Sequence, residues 1–182
     1  MRHKNPWKTL GTKVVHSNPW FKVNENKVIR PDGEKGEYFV VETKGPSVFI
    51  VPITNKDEVY LIGQYRYTTN AFSWEIPGGN SDGEEILNAA KRELKEETGL
   101  EAKKWVKIGT FNVMNGTSNE ICNAFLALDL VGDSLPKQLD EGILEIKKVP
   151  LIQIPSLISS GEINDTQSIT ALVKALIYLK NI

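Results

Sequence analysis

The sequence predicts a mixed α/β fold, and two observations lead to this class. Apolar runs bounded by turn residues fill the first part of the chain and recur after residue 105, which is typical of strands. Helical spacing of apolar residues occurs once near the middle and once at the C-terminal end. Strands interleaved with two amphipathic helices indicate helices that cover a sheet. The length of 182 residues fits a single well-buried domain.

The expected strands form two early pairs and a later group. The first pair flanks the turn-rich segment Arg30-Pro31-Asp32-Gly33 and predicts an N-terminal hairpin. The second pair flanks Asn55-Lys56-Asp57 in the same way. The predicted strand ranges are 20–28, 37–41, 47–54, 58–65, 106–111, 121–130 and 143–149.

Two helices are expected, one over about residues 84–98 and one near the C-terminus. Asp82 or a neighbouring loop residue can start the first helix, and Gly99 can end it in a left-handed conformation. Asp165 or Thr166 can cap the second helix. The residues expected to face the core are Ile86, Ala90 and Leu94 in the first helix and Ile169, Leu172, Val173, Leu176 and Ile177 in the second.

Three acidic residues of the first helix carry the main chemical signal. Glu93, Glu96 and Glu97 are spaced three and four apart, so their carboxylates share one face. Like charges repel, and the C-terminal end of a helix is itself negative, so a compensating cation is expected. Carboxylate oxygens without His or Cys suit Mg²⁺, with Mn²⁺ as the alternative. The cluster therefore predicts a metal site that also binds a diphosphate.

Composition limits the partners of the protein. The formal net charge of −1 and the pI near 6.2 give no electrostatic support for binding nucleic acid or an anionic membrane. The N-terminus lacks an apolar signal or membrane-spanning stretch. The single cysteine, Cys122, excludes an intramolecular disulfide and is expected to be a buried core thiol. A cytoplasmic protein with a small anionic ligand is the expectation.

The helix lies inside a longer motif. Residues 78–100, GGNSDGEEILNAAKRELKEETGL, fit the pattern G-x5-E-x7-R-E-U-x-E-E-x-G-U, where U is aliphatic. This pattern resembles the Nudix box of the Nudix hydrolases, which cut the diphosphate linkage of nucleoside diphosphates joined to another group. The resemblance implies a Nudix-type α/β/α sandwich with a mixed sheet, plus an N-terminal β-hairpin segment.

The same resemblance implies roles for individual residues. Glu93, Glu96 and Glu97 would hold Mg²⁺ together with a backbone carbonyl at Gly78 or Pro77. Arg92 would orient a metal-ligating glutamate through an ion pair. The general base that takes a proton from water would be Glu141, Glu96 or Glu120, and these alternatives stay open.

Segments outside the box resemble the ADP-ribose and nucleoside diphosphate sugar pyrophosphatases. Gln64-Tyr65-Arg66 and Trp74-Glu75-Ile76-Pro77 match their segments, so Arg66 and Glu75 are predicted to contact substrate, with Arg66 clamping a phosphate. Asn115 stands where these relatives often carry a proline, which broadens the expected substrates from ADP-ribose to other nucleoside diphosphate sugars. Trp20 is predicted to stack on the nucleobase.

The expected reaction is Mg²⁺-dependent hydrolysis of a nucleotide sugar to a nucleoside monophosphate and a sugar phosphate. The alternatives are cleavage of (d)NTPs or dinucleoside polyphosphates, and a sensor that binds nucleotide sugars without cutting them. Residues 1–45 are expected to form a strand segment that makes a homodimer and contacts substrate, and residues 46–182 to form the catalytic domain.

Overall fold

The computed structural model describes residues 4–133 and 142–180. The chain forms two compact units. One comprises the residues up to 44 together with residues 112–120, and the other comprises residues 45–111 with the residues from 121 onward. No helix in the described ranges is both long and apolar enough to cross a membrane.

The first unit is built on a three-stranded antiparallel sheet. Its strands, in the order β1-β2-β3, are β1 (Lys8–Ser17), β2 (Phe21–Ile29) and β3 (Lys35–Thr43). The predicted hairpin of β2 and β3 is confirmed, and Gly33 turns the chain with φ of 89°. The sequence did not predict β1, because this strand is exposed along its whole length and has no buried apolar face. Residues 112–120 join β3 through the bridge of Val41 with Ser118.

The second unit contains two sheets. A mixed sheet in the order β7-β4-β9-β8 pairs β4 parallel with β9 and antiparallel with β7, and a second sheet in the order β10-β5-β6 pairs β5 antiparallel with both neighbours. The strands are β4 (Ser47–Pro52), β5 (Glu58–Arg66), β6 (Ala71–Glu75), β7 (Gly78–Asn80), β8 (Glu101–Asn112), β9 (Ile121–Val131) and β10 (Ile143–Pro150).

The expected pairing of β4 with β5 is wrong, because these strands lie in different sheets. Pairing of the predicted ranges 47–54 and 58–65 is confined to their turn, where Ile53 forms an isolated bridge with Val59 and the Thr54 N–H donates to the Glu58 carbonyl at 2.8 Å. Strand β4 is buried at all six positions, as a central strand covered on both faces requires. Its neighbours are therefore the distant strands β7 and β9 rather than the next strand in sequence.

Helix α1 (Ile86–Thr98) packs against β4 and β7. Its N-cap is Glu85, whose carboxylate accepts hydrogen bonds from the backbone N–H of Leu87 and Asn88 at 3.0 and 3.1 Å. The predicted cap Asp82 is wrong, since Asp82 has φ of 50° and belongs to the preceding turn. The predicted end at Gly99 is confirmed by its φ of 74°. The predicted core stripe is also confirmed, because Ala90 and Leu94 are fully buried beside Val48 and Ile50, with Ile86 at the edge.

Helix α3 (Thr166–Lys180) packs on β4 and β9, after a 3₁₀ turn (Leu151–Gln153) and the short helix α2 (Ile154–Ser160). The predicted cap at Asp165 is confirmed by the 2.8 Å hydrogen bond from the Ser168 N–H to Asp165 Oδ2. The predicted core stripe is partly wrong, because Val173 and Ile177 are 40% and 57% exposed. The small residues Ser168, Ala171 and Ala175, together with Leu172, form the fully buried face instead.

Together these elements confirm the predicted α/β class with a mixed sheet. Helices α1 and α3 both pack against β4, whose side chains alternate between its two faces. One further contact sets the path of the chain before α1. The fully buried Ser168 hydroxyl accepts a 3.1 Å hydrogen bond from the Ile76 N–H and so fixes the segment between β6 and β7 to α3.

Candidate active site

The guanidinium of Arg92 gathers the acidic residues of α1 and the loop before it. Its Nη1 donates to Glu93 Oε1 at 2.9 Å and to Glu96 Oε2 at 2.8 Å, and its Nε donates to Glu84 Oε1 at 2.7 Å. Its Nη2 donates to the backbone carbonyl of Asn80 at 3.0 Å. Arg92 is thus a single cation that offsets three carboxylates and attaches α1 to the strand β7.

Arg92 stays protonated in this setting. Burial disfavours its charge, but the hydrogen bonds to Glu96 and Glu84 and the charge of Glu93 outweigh that effect and raise the pKa of Arg92 above its ordinary value. A permanently charged guanidinium is needed here, because the carboxylates around it would otherwise repel one another.

Glu93 and Glu97 lie beside the segment Pro77-Gly78-Gly79 at the start of β7, called here the glycine loop. Glu93 and Glu97 are each 9% exposed, whereas the Glu96 side chain is 46% exposed. Glu97 Oε2 accepts a 2.7 Å hydrogen bond from the Gly78 N–H. This bond fixes the carboxylate of Glu97 against the first glycine of the loop.

Both glycines, Gly78 and Gly79, lie in close contact with neighbouring groups. A Cβ on Gly78 would lie 2.5 Å from the Val48 carbonyl oxygen, and a Cβ on Gly79 would lie 2.5 Å from Glu93 Oε1. The Pro-Gly-Gly sequence therefore lets the backbone approach β4 on one side and the Glu93 carboxylate on the other.

The donor set suits a hard divalent cation. Glu93, Glu96 and Glu97 offer only carboxylate oxygens, which are the ligands that Mg²⁺ and Mn²⁺ accept. Within residues 4–133 and 142–180, however, no three His, Cys, Asp or Glu residues lie close enough together to enclose a metal. The arrangement fits an ion held by carboxylates of α1, with water and substrate phosphates completing its shell. The Pro77 carbonyl accepts a 2.9 Å hydrogen bond from the Ile50 N–H. Whether the carbonyl of Pro77 or that of Gly78 would bind the metal stays open.

A second ion pair lies at the ends of β5 and β6. Arg66 donates from Nε to Glu75 Oε1 at 3.0 Å and from Nη2 to Glu75 Oε2, which also accepts from Gln64 at 3.3 Å. Glu75 is only 2% exposed, so these donors supply the hydrogen bonds that water cannot. The hydrogen bond to Glu75 raises the pKa of Arg66, and the charges of Asp165 and Glu97 act in the same direction. Arg66 therefore lies within electrostatic range of Glu97 in α1.

The remaining predicted site residues are not brought together with this cluster by any described contact. Trp20 is 74% exposed and belongs to the first unit, as does Glu120, whose N–H donates to Ser118 Oγ at 3.1 Å. Glu141 lies outside the described residues. The roles assigned to these three residues stay predictions. Cys122 is fully buried, as expected for a core thiol.

Sequence reasoning missed contacts that involve the backbone or a distant helix. The Asn80 carbonyl bonded to Arg92 carries no side-chain signal, and Ser168 lies 92 positions after the residue whose N–H it binds. Gln64 was recognised only as part of its tripeptide. Its position on the same buried face as Glu75 follows from the pairing of β5 with β6.

Comparison with known proteins shows which domain families the chain matches. Residues 43–171 match the model of the NUDIX domain, and residues 7–41 match that of the nucleoside diphosphate sugar hydrolase N-terminal domain. The chain is 30% identical to an ADP-ribose pyrophosphatase of Bacillus subtilis (strain 168), over 91% of this chain and 90% of that protein. It is 27% identical to an ADP-ribose pyrophosphatase of Mycobacterium tuberculosis, over 93% and 83% of the two chains. A crystal structure of an ADP compounds hydrolase superposes with a TM-score of 0.86 at 25% identity and covers 100% of this chain and 98% of that one.

The Arg66–Glu75 pair yields a stability prediction. Arg66→Met leaves the buried Glu75 carboxylate without its main donor, so we expect the free energy of unfolding to fall by about 1–3 kcal/mol. Adding Glu75→Gln removes the unpaired charge and should recover much of that loss. Urea denaturation of both single variants and the double variant measures the coupling, and strictly additive losses would show that the pair contributes nothing specific.

Proposed function

The chain belongs to the Nudix family, and we propose that it hydrolyses the diphosphate linkage of ADP-ribose or related nucleoside diphosphate sugars. The products would be a nucleoside monophosphate and a sugar phosphate. The observation that carries this proposal is the arrangement of Glu93, Glu96 and Glu97 around Arg92 and the glycine loop. The names of the relatives support the sugar nucleotide class, and so does the match of residues 7–41 to a nucleoside diphosphate sugar hydrolase domain.

Mg²⁺ is the proposed cofactor, with Mn²⁺ as a substitute, and Glu93, Glu96 and Glu97 would hold it. Bound there, the ion would offset the negative charge of the diphosphate and lower the pKa of water. Arg92 keeps the carboxylates of Glu93 and Glu96 in a fixed orientation, and the Gly78 N–H does the same for Glu97. Holding these groups in place before substrate arrives lowers the cost of reaching the reactive geometry.

Arg66 is proposed to contact a substrate phosphate. Its Nε and Nη2 are used by Glu75, whereas none of the hydrogen bonds among the described residues uses its Nη1. The bidentate pair with Glu75 holds the guanidinium plane in place, so the remaining donors are oriented before binding. Glu75 would act through Arg66 as a positioning residue.

A proton acceptor is also required, and Glu96, Glu120 and Glu141 are the proposed candidates. Among the acids of α1, Glu96 is the one most exposed to water. Its carboxylate accepts a 2.8 Å hydrogen bond from Arg92 Nη1, which fixes its position beside the other acids of the site. Separate Glu→Gln variants at the three positions distinguish these candidates by their pH–rate profiles.

The first unit is proposed to form a homodimer and to contact the base through Trp20. The support for an interface is a set of exposed apolar side chains in this unit, namely Leu10, Val14, Val15 and Phe39 on the sheet and Trp20 in the turn between β1 and β2.

A cytoplasmic location is also proposed. Cys122 is the single cysteine of the sequence and is buried, which supports a reducing compartment.

Gly79→Ala tests the contact between the loop and Glu93. The new Cβ would displace the Glu93 carboxylate, which lies at the end of a flexible side chain, so we expect kcat to fall about 100-fold with little change in melting temperature. Gly11→Ala is the control, because a Cβ there meets no atom within 4 Å. Equal activity of the two variants would show that the position of Glu93 does not matter for turnover.

Glu97→Gln tests the reaction itself. The amide oxygen can still accept from the Gly78 N–H, so the fold should persist while turnover falls at least about 100-fold through the loss of a charged ligand. The exposed Glu101→Gln is the matched control. Both variants and the unaltered protein are assayed with Mg²⁺ on ADP-ribose, ADP-glucose, GDP-mannose, dinucleoside polyphosphates and dNTPs. Retained turnover by Glu97→Gln, or a preference for a triphosphate over every sugar nucleotide, would contradict the proposal.

A further inference from the structure

We propose that Ser168, in the first turn of α3, is a positioning residue for the reaction, because its hydroxyl sets the place of the glycine loop beside Glu97. Ser168 is fully buried, and its hydroxyl accepts a 3.1 Å hydrogen bond from the Ile76 N–H. Ile76 comes two residues before Gly78, whose N–H donates to the carboxylate of Glu97. This inference rests on the proposed function, and it gives the C-terminal helix a part in forming the site.

The hydrogen bond between Ile76 and Ser168 is shielded from water. Both residues are fully buried, so water does not replace either partner. A buried N–H that loses its acceptor keeps the cost of its removal from water, and the chain around it then moves toward another acceptor. The position of the backbone at Ile76 therefore depends on the hydroxyl of Ser168.

Ser168 is itself held in a fixed place. Its own N–H donates to Asp165 Oδ2 at 2.8 Å, which is the capping bond of α3. The helix packs against β4 through a buried face that continues from Ser168 to Ala171, Leu172 and Ala175. The hydroxyl is thus an acceptor on a packed helix, and groups on helices are held more precisely than groups on loops.

The connection between α2 and α3 supports the same segment at an earlier point. Strand β6 is the edge of its sheet, so its outward N–H groups bond to this part of the chain rather than to another strand. The Trp74 N–H donates to the Glu162 carbonyl at 3.2 Å. This bond precedes Glu75, whereas the bond to Ser168 lies between Glu75 and the glycine loop. The Ser168 bond is therefore the nearer of the two to the carboxylates of α1.

Pro77 transmits the position of Ile76 to Gly78. A proline ring holds φ near about −65°, so the chain at Pro77 has little freedom to absorb a displacement. The Pro77 carbonyl accepts a 2.9 Å hydrogen bond from the Ile50 N–H, and this bond keeps the segment on β4 when the bond to α3 is lost. The segment should then turn about this point rather than unfold. The expected result is a displaced Gly78 N–H and a less firmly held Glu97 carboxylate.

Ser168→Ala tests this role, with Ala175→Gly and Ser47→Ala as controls. Ser168→Ala removes the hydroxyl and keeps the backbone N–H that bonds to Asp165. Ala175→Gly weakens the same buried face of α3 and leaves the Ile76 contact in place. Ser47→Ala removes a buried hydroxyl that has no hydrogen-bond partner within the described residues. Ser168→Cys is a second test variant, in which a thiol, a weak acceptor, replaces the hydroxyl.

Two properties are measured at a temperature where circular dichroism shows every variant to be folded. Exchange of the Gly78 amide hydrogen is followed by NMR in the protein without metal or substrate, and kcat for ADP-ribose is measured with Mg²⁺. We expect Ser168→Ala to speed the exchange at Gly78, relative to the amides of β9, by at least about tenfold and to lower kcat by about tenfold. Ser168→Cys should change both properties in the same direction, and the two controls should change neither.

An unchanged exchange rate at Gly78 in the Ser168 variants would overturn the inference, and so would an unchanged kcat. An equal loss of kcat in Ala175→Gly would also overturn it, because the loss would then follow from the stability of α3. Failure of the unaltered protein to hydrolyse any sugar nucleotide would instead refute the proposed function. The two failures are distinct, because the exchange measurement uses neither metal nor substrate.

Discussion

The candidate site depends on one constraint, which is that several carboxylates must lie side by side on a single helix. Arg92 meets this constraint by bonding to Glu84, Glu93 and Glu96 at once, and its contact with the Asn80 carbonyl ties the cluster to β7. Without a fixed cation, mutual repulsion and the negative end of α1 would favour spreading these side chains into solvent. The glycine loop can pass close to Glu93 and Glu97 because the carboxylates are held in place.

This constraint also explains how the site can bind metal. Arg92 compensates the acids in the protein alone, and the described residues form no cage of three ligands around a preformed ion position. A divalent cation would then be held jointly by a few carboxylates and the diphosphate of the substrate, which is the manner in which Mg²⁺ commonly binds. Metal binding and substrate recognition would then be coupled, because phosphate oxygens of the substrate would supply part of the shell of the ion.

The sequence predicts the chemistry of the box better than it predicts the architecture around it. Fixed spacing on a helix places Ala90 and Leu94 correctly, because the apolar stripe follows from the geometry of one helix. Strand β1 and the Ser168 contact could not be predicted in the same way. The first lacks an apolar face, and the second joins residues that become neighbours only through the tertiary fold.

The expected pairing of β4 with β5 failed for a related reason, since a buried central strand takes partners from distant parts of the chain. In α3 the fully buried face consists of Ser168, Ala171, Leu172 and Ala175. The predicted stripe of large apolar residues is therefore partly exposed.

The coupling of metal to substrate is the central claim of this account, and Mn²⁺ binding measured by electron paramagnetic resonance tests it most directly. The titration is made on the unaltered protein, alone and with a saturating ADP-ribose analogue whose bridging oxygen is replaced by methylene. We expect weak Mn²⁺ binding to the protein alone and an increase in affinity of at least about tenfold with the analogue. Equal Mn²⁺ affinity in both titrations would contradict it, because the carboxylates of the protein would then suffice to hold the ion.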